Sequence, residues 1–141
     1  MNWNWVDKRV LILLHDESLA DHGGAAGLRD EGLLDSALAR PQNLVAYAQP
    51  DYADLAAAYA LEIAKGHAFV DGNKRAAFLA IGLFLGRNGL RLTATQTDAT
   101  LAVQALAAGE VTQAQFADWI RKNSVVRPAP GLNEPRAPYR P

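Results

Sequence analysis

A short loop that begins at Gly66 leads into an apolar segment that runs to about Arg87, and the junction between them reads His67-Ala68-Phe69-Val70-Asp71-Gly72-Asn73-Lys74-Arg75. Apolar residues fall on every side of a helix drawn over that segment, and Asn88-Gly89 follows as a stop signal. A helix that is apolar all round lies in the middle of a bundle. The stretch therefore predicts a central, largely buried helix with a charged first turn.

The rest of the chain predicts further helices around this one. Their signals are apolar residues at helical spacing, N-terminal caps, and glycine or proline at the ends. Pro41 is expected to close the second helix. A composition rich in alanine and leucine also favours helices over strands. We expect an all-α bundle of about six helices, the other five at about Asp7 to Asp21, Leu33 to Arg40, Asp51 to Lys65, Thr95 to Gly109 and Thr112 to Ile120.

The C-terminal end differs in composition from the remainder. Five of the seven prolines lie after Asn123, where no periodic apolar pattern is present. A segment of this kind cannot bury enough apolar surface to order itself. The sequence therefore predicts one domain over residues 1–123 and a disordered, proline-rich tail over residues 124–141.

Charge and cysteine content exclude several classes of protein. The tail holds three arginines and one glutamate. Because the whole chain has a net charge of −1, the body before the tail has a net charge near −3. An acidic body argues against direct binding of nucleic acid. The absence of cysteine excludes disulfides and thiolate metal sites. The apolar run Val10 to Leu14 is too short to span a membrane, and we expect a cytoplasmic protein.

The junction at the start of the apolar helix is suited to bind phosphate. The first N–H groups of a helix have no partner within it, and the helix dipole adds positive potential there. Gly72 lets a ligand approach the backbone closely. Lys74 and Arg75 place two cations in the first turn, where the dipole opposes them. Such cations are expected where a bound anion neutralises them.

His67 and Asp71 add reactive groups to this junction. Histidine can accept a proton from a hydroxyl near neutral pH, which is the role of a general base. A carboxylate beside phosphates is a suitable ligand for Mg²⁺. Taken singly, His67 is more often a structural hydrogen-bond partner, Asp71 a helix cap, and Phe69 part of the core. At this joint spacing they indicate phosphoryl transfer.

The stretch resembles the Fic signature H-x-F-x-[DE]-G-N-x-R, and specifically its death-on-curing branch, which has N-K-R where Fic proteins have N-G-R. The similarity covers roughly residues 10 to 122. Outside the signature it is carried by Gly23-Gly24, Gly27-Leu28-Arg29-Asp30, Leu33 to Ala37, Arg40 to Gln42 and Asn88-Gly89.

This resemblance implies a toxin of a toxin–antitoxin system. Fic enzymes transfer AMP to protein hydroxyls, whereas death-on-curing toxins have lysine at the position of Lys74. The resemblance implies that ATP binds reversed, with the γ-phosphate toward the histidine. The implied reaction is phosphorylation of serine or threonine in a protein, with translation elongation factor Tu as target and a Phd-like antitoxin as inhibitor. Phe78 replaces the second arginine of the Fic signature, which also speaks against AMP transfer.

By the same resemblance, each site residue receives a role. His67 is the base, Asp71 holds Mg²⁺, and Gly72 belongs to the nucleotide site. Asn73, Lys74 and Arg75 hold the phosphates of ATP. Two departures, Ala68 and Ala76, remove no catalytic group.

Several alternatives remain open at this point. The chain could transfer AMP, or it could be a non-catalytic module that binds a nucleotide or a partner. His15-Asp16 is more often a surface pair than part of a site. The segment Gly27 to Gln42 is either a flap that guides a target polypeptide or a plain connector.

Overall fold

Six α-helices and two short β-strands form the structure, a computed structural model that describes residues 2–127. The predicted all-α fold is confirmed. No helix within the described part of the chain is long and apolar enough to cross a membrane. The elements are α1 (Lys8–His22), α2 (Glu31–Tyr47), α3 (Tyr52–Gly66), α4 (Asn73–Arg87), β1 (Leu90–Leu92), α5 (Gln96–Ala107), α6 (Gln113–Lys122) and β2 (Ser124–Val126).

Side-chain caps fix where the helices begin. Asp7 accepts from the N–H groups of the first turn of α1, and Thr95 does so for α5. The capping box that the sequence predicts at Thr112 and Gln115 opens α6. Each cap satisfies donors that would otherwise lack a partner, which contributes about 1 kcal/mol.

Helices α3 and α4 together form the centre of the bundle. The predicted central helix, α4, buries one side fully, while Phe78, Leu79 and Leu83 are half-buried. Helix α3 is buried on more of its surface because α2, α4, α5 and α6 all pack against it. Alanine lets these neighbours approach closely, and the buried residues of α3 are Ala53, Leu55, Ala56, Ala57, Ala58, Tyr59, Ala60, Ile63 and Ala64.

The predicted end of the second helix at Pro41 is wrong. Helix α2 runs through Pro41, which is buried, and continues to Tyr47. Proline in a helix loses one hydrogen bond and crowds the carbonyl four residues back. The apolar stripe offsets this penalty, because it continues past the proline to Leu44, which packs on the core. Its buried members are Leu34, Ala37, Leu38 and Pro41.

The predicted domain boundary at Asn123 lies too early. Ser124–Val126 forms β2 and pairs antiparallel with β1, so that Leu90 lies opposite Val126. The backbone N–H of Arg127 donates to the carbonyl oxygen of Gly89 at 2.7 Å. The β-branched pair Val125-Val126 suits a strand, but the prolines that follow it give this part of the chain the composition of the tail. The rest of the predicted tail, residues 128–141, lies outside the described residues.

Candidate active site

The signature forms the loop between α3 and α4. His67 caps α3 in the left-handed conformation, with φ of 53°, and is the one non-glycine residue with positive φ among residues 2–127. This conformation costs on the order of 1 kcal/mol for a non-glycine residue and is frequent at functional sites. Phe69 is buried beneath the loop, as expected, while the side chain of His67 is exposed. The fold thus holds an accessible imidazole on a strained, anchored backbone.

The side chain of Asn73 closes this loop. Its Oδ1 accepts from the backbone N–H of Phe69 at 3.0 Å, and its Nδ2 donates to the carbonyl oxygen of Phe69 at 3.1 Å. Both ends of the amide are therefore engaged with the loop backbone. The Asn73 side chain is therefore occupied, and its backbone N–H, at the first position of α4, is the group it could offer to a phosphate.

A short segment before α2 pairs with the same loop. Leu28 and Phe69 form an antiparallel bridge, in which the N–H of Arg29 donates to the oxygen of Ala68 at 2.7 Å and the N–H of Val70 to the oxygen of Gly27 at 3.0 Å. Nε of Arg29 also donates to the oxygen of His67 at 2.8 Å. The contacts favour the flap interpretation for Gly27–Asp30, whereas the residues from Glu31 onward belong to α2.

His15 lies directly under the loop, and its interpretation as a surface residue is wrong. It is completely buried on α1, 2.8 Å through Nε2 from the backbone oxygen of Asp71, with its ring 4.0 Å from that of Phe69. Because a carbonyl only accepts, Nε2 carries the proton. Nδ1 is then a buried acceptor without a partner in residues 2–127. The spacing carries a signal that the sequence analysis did not use: His15 lies four residues from both Leu11 and Leu19, on the buried face of α1, whereas Asp16 is exposed.

Asp71 and the glycines around it are tightly fitted. Its Oδ1 accepts from the N–H of Gly72 at 2.8 Å, and its exposed Oδ2 has only a long contact, 3.4 Å, with the N–H of Ala25. A methyl group at Gly24 would lie 2.9 Å from Oδ2, and one at Gly72 would lie 3.0 Å from Nε2 of His15. Both glycines have positive φ. Glycine therefore lets the backbone lie close to the Asp71 carboxylate at position 24 and close to the His15 ring at position 72.

Of the two cations in the first turn of α4, Lys74 and Arg75, Arg75 is held by more contacts. Its Nε donates to Oγ of the buried Ser18 at 2.8 Å, and its guanidinium lies 5.1 Å from the ring centre of Phe78. With its amide oxygen turned toward Arg75, Gln96 accepts from Nη1 at 2.8 Å. Lys74 is exposed beside it. Sequence reasoning missed Ser18 and Gln96, because both are remote from the signature in the chain.

Four of the six predicted site residues line one cleft of about 340 Å³ between α1, α4 and α5, a size typical of small-ligand sites. They are Asp71, Gly72, Lys74 and Arg75. His67 and Asn73 do not line it. The structure thus places the cations and the carboxylate at the cleft and the imidazole at the other end of the same loop.

A magnesium ion fits the chemistry of Asp71. Within residues 2–127, no three His, Asp or Glu side chains are grouped closely enough to form a metal site of their own. Mg²⁺ bound with a nucleotide needs only one or two carboxylates, since phosphate oxygens and water supply the other ligands. The carboxylate of Asp71, an exposed residue beside the N-terminus of α4, meets that requirement.

Comparison with known proteins agrees with this geometry. The model described as the Fic/DOC family matches residues 5–85. The chain is 38% identical over 118 residues to the protein kinase doc of Escherichia phage P1, covering 83% of this chain and 93% of that protein. It is 50% identical over 74 residues to the Toxin Doc of Mycolicibacterium smegmatis, covering 51% of this chain and 57% of that protein. The resemblance read from the signature is confirmed, and the chain belongs to the Fic/DOC family.

Proposed function

We propose that this protein is the toxin of a toxin–antitoxin system and a kinase that transfers the γ-phosphate of ATP to a serine or threonine of a protein. The supporting observation is the start of α4, where Asp71, Lys74 and Arg75 share one cleft and His67 stands at the opposite end of the loop. The names of the two relatives, a protein kinase and a toxin, agree with this proposal.

His67 acts as the base in the proposed reaction. Its imidazole accepts the proton of the target hydroxyl while that oxygen forms a bond to the γ-phosphorus. The bond between the γ-phosphorus and the bridging oxygen breaks, and ADP leaves with the electron pair. The backbone of His67 is tied to Arg29, which holds the base of its side chain beside the flap, where a target segment would lie.

The start of α4 stabilises the charge that moves during transfer. Asp71 would hold Mg²⁺, which would supply positive charge to the phosphate oxygens. Lys74 and Arg75 supply positive charge together with the first N–H groups of the helix. Ser18, Phe78 and Gln96 keep Arg75 in place before ATP arrives, so that little reorganisation is needed.

Lys74 favours phosphoryl transfer over AMP transfer. A long cationic side chain occupies the position where glycine admits the inner phosphates in Fic proteins. The nucleotide then presents its terminal phosphate to the base. Transfer of AMP and binding without catalysis are the outcomes that would replace the kinase proposal.

The partners follow from the same proposal. The target is translation elongation factor Tu, and its modification halts translation in the cytoplasm. A Phd-like antitoxin inhibits the toxin through a C-terminal segment that folds on binding.

Growth measurements test this function in the cell. Expression without an antitoxin is expected to arrest bacterial growth, and His67→Ala is expected to relieve the arrest. Lys65→Ala is the matched control, because Lys65 is an exposed residue in the last turn of α3 and lies outside the cleft. Equal toxicity of the His67→Ala protein would show that the histidine is not the base.

A further inference from the structure

A second groove lies at the end of α4 opposite the signature loop. Its volume is about 570 Å³. It is lined by Asn4, Gly82, Leu83, Gly86, Arg87 and Arg127, and none of these residues lines the cleft at the start of α4. Because each residue adds about 1.5 Å to a helix, Arg87 lies roughly 20 Å along α4 from its first residue. We propose that this groove binds an acidic peptide segment of a partner protein, a role that does not depend on the kinase function.

Hydrogen bonds between segments that are remote in sequence build the groove. Asn4 donates through Nδ2 to the carbonyl oxygen of Arg87 at 3.0 Å, and its N–H donates to Oδ1 of Asn88 at 2.9 Å. The N–H of Arg127 donates to the oxygen of Gly89 at 2.7 Å. The backbone around the groove is therefore fixed before a ligand arrives, which lowers the cost of ordering it on binding.

Arg127 is oriented in the groove and keeps further donors. Its Nη2 donates to the carbonyl oxygen of Gly86 at 2.9 Å. A guanidinium has five N–H donors, and the side chain of Arg127 makes no other hydrogen bond within residues 2–127. Its planar fork matches a carboxylate, which it can bind through two parallel hydrogen bonds. Arg87 adds a second exposed guanidinium to the same groove.

The charge of the groove is opposite to that of the body around it. Neither Arg87 nor Arg127 forms an ion pair with a carboxylate of residues 2–127. The body has a net charge near −3, and the segment 128–141 carries Arg136 and Arg140 against Glu134 alone. Because that segment has no excess of negative charge, the complementary charge is expected from another molecule.

The floor of the groove favours a peptide over a nucleic acid. Gly82 and Gly86 are about one turn apart on α4, and a Cβ atom at either position would meet nothing within 4 Å. The open helix backbone beside the half-buried Leu83 lets an extended chain lie against the helix. Binding of duplex nucleic acid draws on many phosphate contacts, whereas this groove offers two cations on an acidic body. Carboxylates on a short peptide therefore fit it best.

Titration of the full-length protein with hexaglutamate, followed by NMR, tests this assignment. The amide signals of Gly82, Gly86 and Arg127 are expected to shift. Arg127→Gln and Arg87→Gln should each weaken binding about threefold to fivefold, as for the loss of one exposed ion pair. Arg91→Gln is the matched control, because Arg91 is also an exposed arginine but does not line the groove. It should leave the affinity nearly unchanged at physiological salt, where distant charges are screened.

Gly82→Leu blocks the floor of the groove without removing a charge. Leucine is a better helix former than glycine, and the new side chain starts in open space, so the variant should fold. Its affinity for hexaglutamate should fall at least as far as in the arginine variants. A diffuse attraction between the arginines and a polyanion would not be affected by this change.

Other outcomes would overturn the proposal. Unchanged affinity in Arg127→Gln and Gly82→Leu would place the peptide elsewhere, and an equal loss in Arg91→Gln would show attraction without a site. Tighter binding of a short DNA duplex, lost in the same groove variants, would assign the groove to nucleic acid. A dimer in sedimentation experiments that Gly82→Leu dissociates would assign it to a second copy of this chain.

Discussion

Nε2 of His15, on α1, donates a hydrogen bond of 2.8 Å to the backbone oxygen of Asp71, in the signature loop. The contact joins two positions 56 residues apart. It holds the loop at the backbone of Asp71, the proposed magnesium ligand. Because His15 is completely buried and its ring packs at a tilt against Phe69, this hydrogen bond fixes its proton toward the loop. His15 is therefore a positioning residue for Asp71.

Replacement of His15 is expected to separate positioning from folding. His15→Leu leaves the oxygen of Asp71 without a donor, which costs about 1–3 kcal/mol of stability. A displaced loop should lower kcat on the order of tenfold to a hundredfold. His15→Gln keeps an N–H donor and should recover most of kcat. Steady-state kinetics well below the melting temperature check this, and full kcat in a folded His15→Leu protein would contradict it.

The glycine beside Asp71 is expected to control the magnesium requirement. In Gly24→Ala, at a φ of +121°, the new methyl group would lie 2.8 Å from Cδ2 of Leu19, a flexible side-chain end, and 2.9 Å from Oδ2 of Asp71. Gly27→Ala introduces similar backbone strain, at a φ of +106°, but its methyl group meets nothing within 4 Å. Activity as a function of Mg²⁺ concentration should shift severalfold to higher concentration for Gly24→Ala alone. Equal shifts in both variants would show that strain, not contact with Asp71, is responsible.

Two truncations locate the end of the folded domain. Removal of residues after Asn123 deletes β2 and the hydrogen bond of 2.8 Å between Tyr52 and Ser124. A loss of roughly 1–3 kcal/mol should lower the melting temperature by several degrees. Removal of residues after Arg127 keeps both features and should change it little, as the composition of the tail predicts. Equal melting temperatures for the two shortened proteins would mean that β2 contributes nothing.

A cluster of charges between α3 and α6 predicts how stability depends on pH. Burial opposes ionisation of Asp51, but hydrogen bonds from Arg121 and from the N–H of Asp54 outweigh it and hold the pKa of Asp51 below its ordinary value of 3.8. A lowered pKa stabilises the fold above the ordinary value, and this contribution is lost as the pH falls through the lower one. Both side chains are partly exposed, so screening limits the effect to about 1 kcal/mol.

Urea unfolding of Asp51→Asn tests this linkage. Asparagine can still cap α3, so the variant removes the charge and keeps the cap. Its deficit in stability relative to the unaltered protein should be present at pH 7 and shrink below about pH 4. Asp118→Asn removes a more exposed partner of Arg121 and should have a smaller effect. A deficit that is constant with pH would contradict the role of the charge.

Local patterns predicted the helices and the loop chemistry, but not contacts between distant segments. Caps and apolar spacing identify six helices because those signals lie within each helix. Pro41 misleads, since the packing of α2 beyond it outweighs a local penalty. His15 and Ser18 were not assigned to the site, because only the fold brings α1 beneath the loop. Asn73 matches the signature, yet its side chain holds the loop backbone.

The fate of labelled ATP tests the kinase proposal most directly. Purified protein is incubated with elongation factor Tu and ATP labelled at either the γ- or the α-phosphate, with His67→Ala as the inactive control. If Lys74 turns the nucleotide so that its terminal phosphate faces His67, label from the γ position should appear on the target and label from the α position should not. Label from the α position on the target would contradict the kinase proposal and establish AMP transfer in its place.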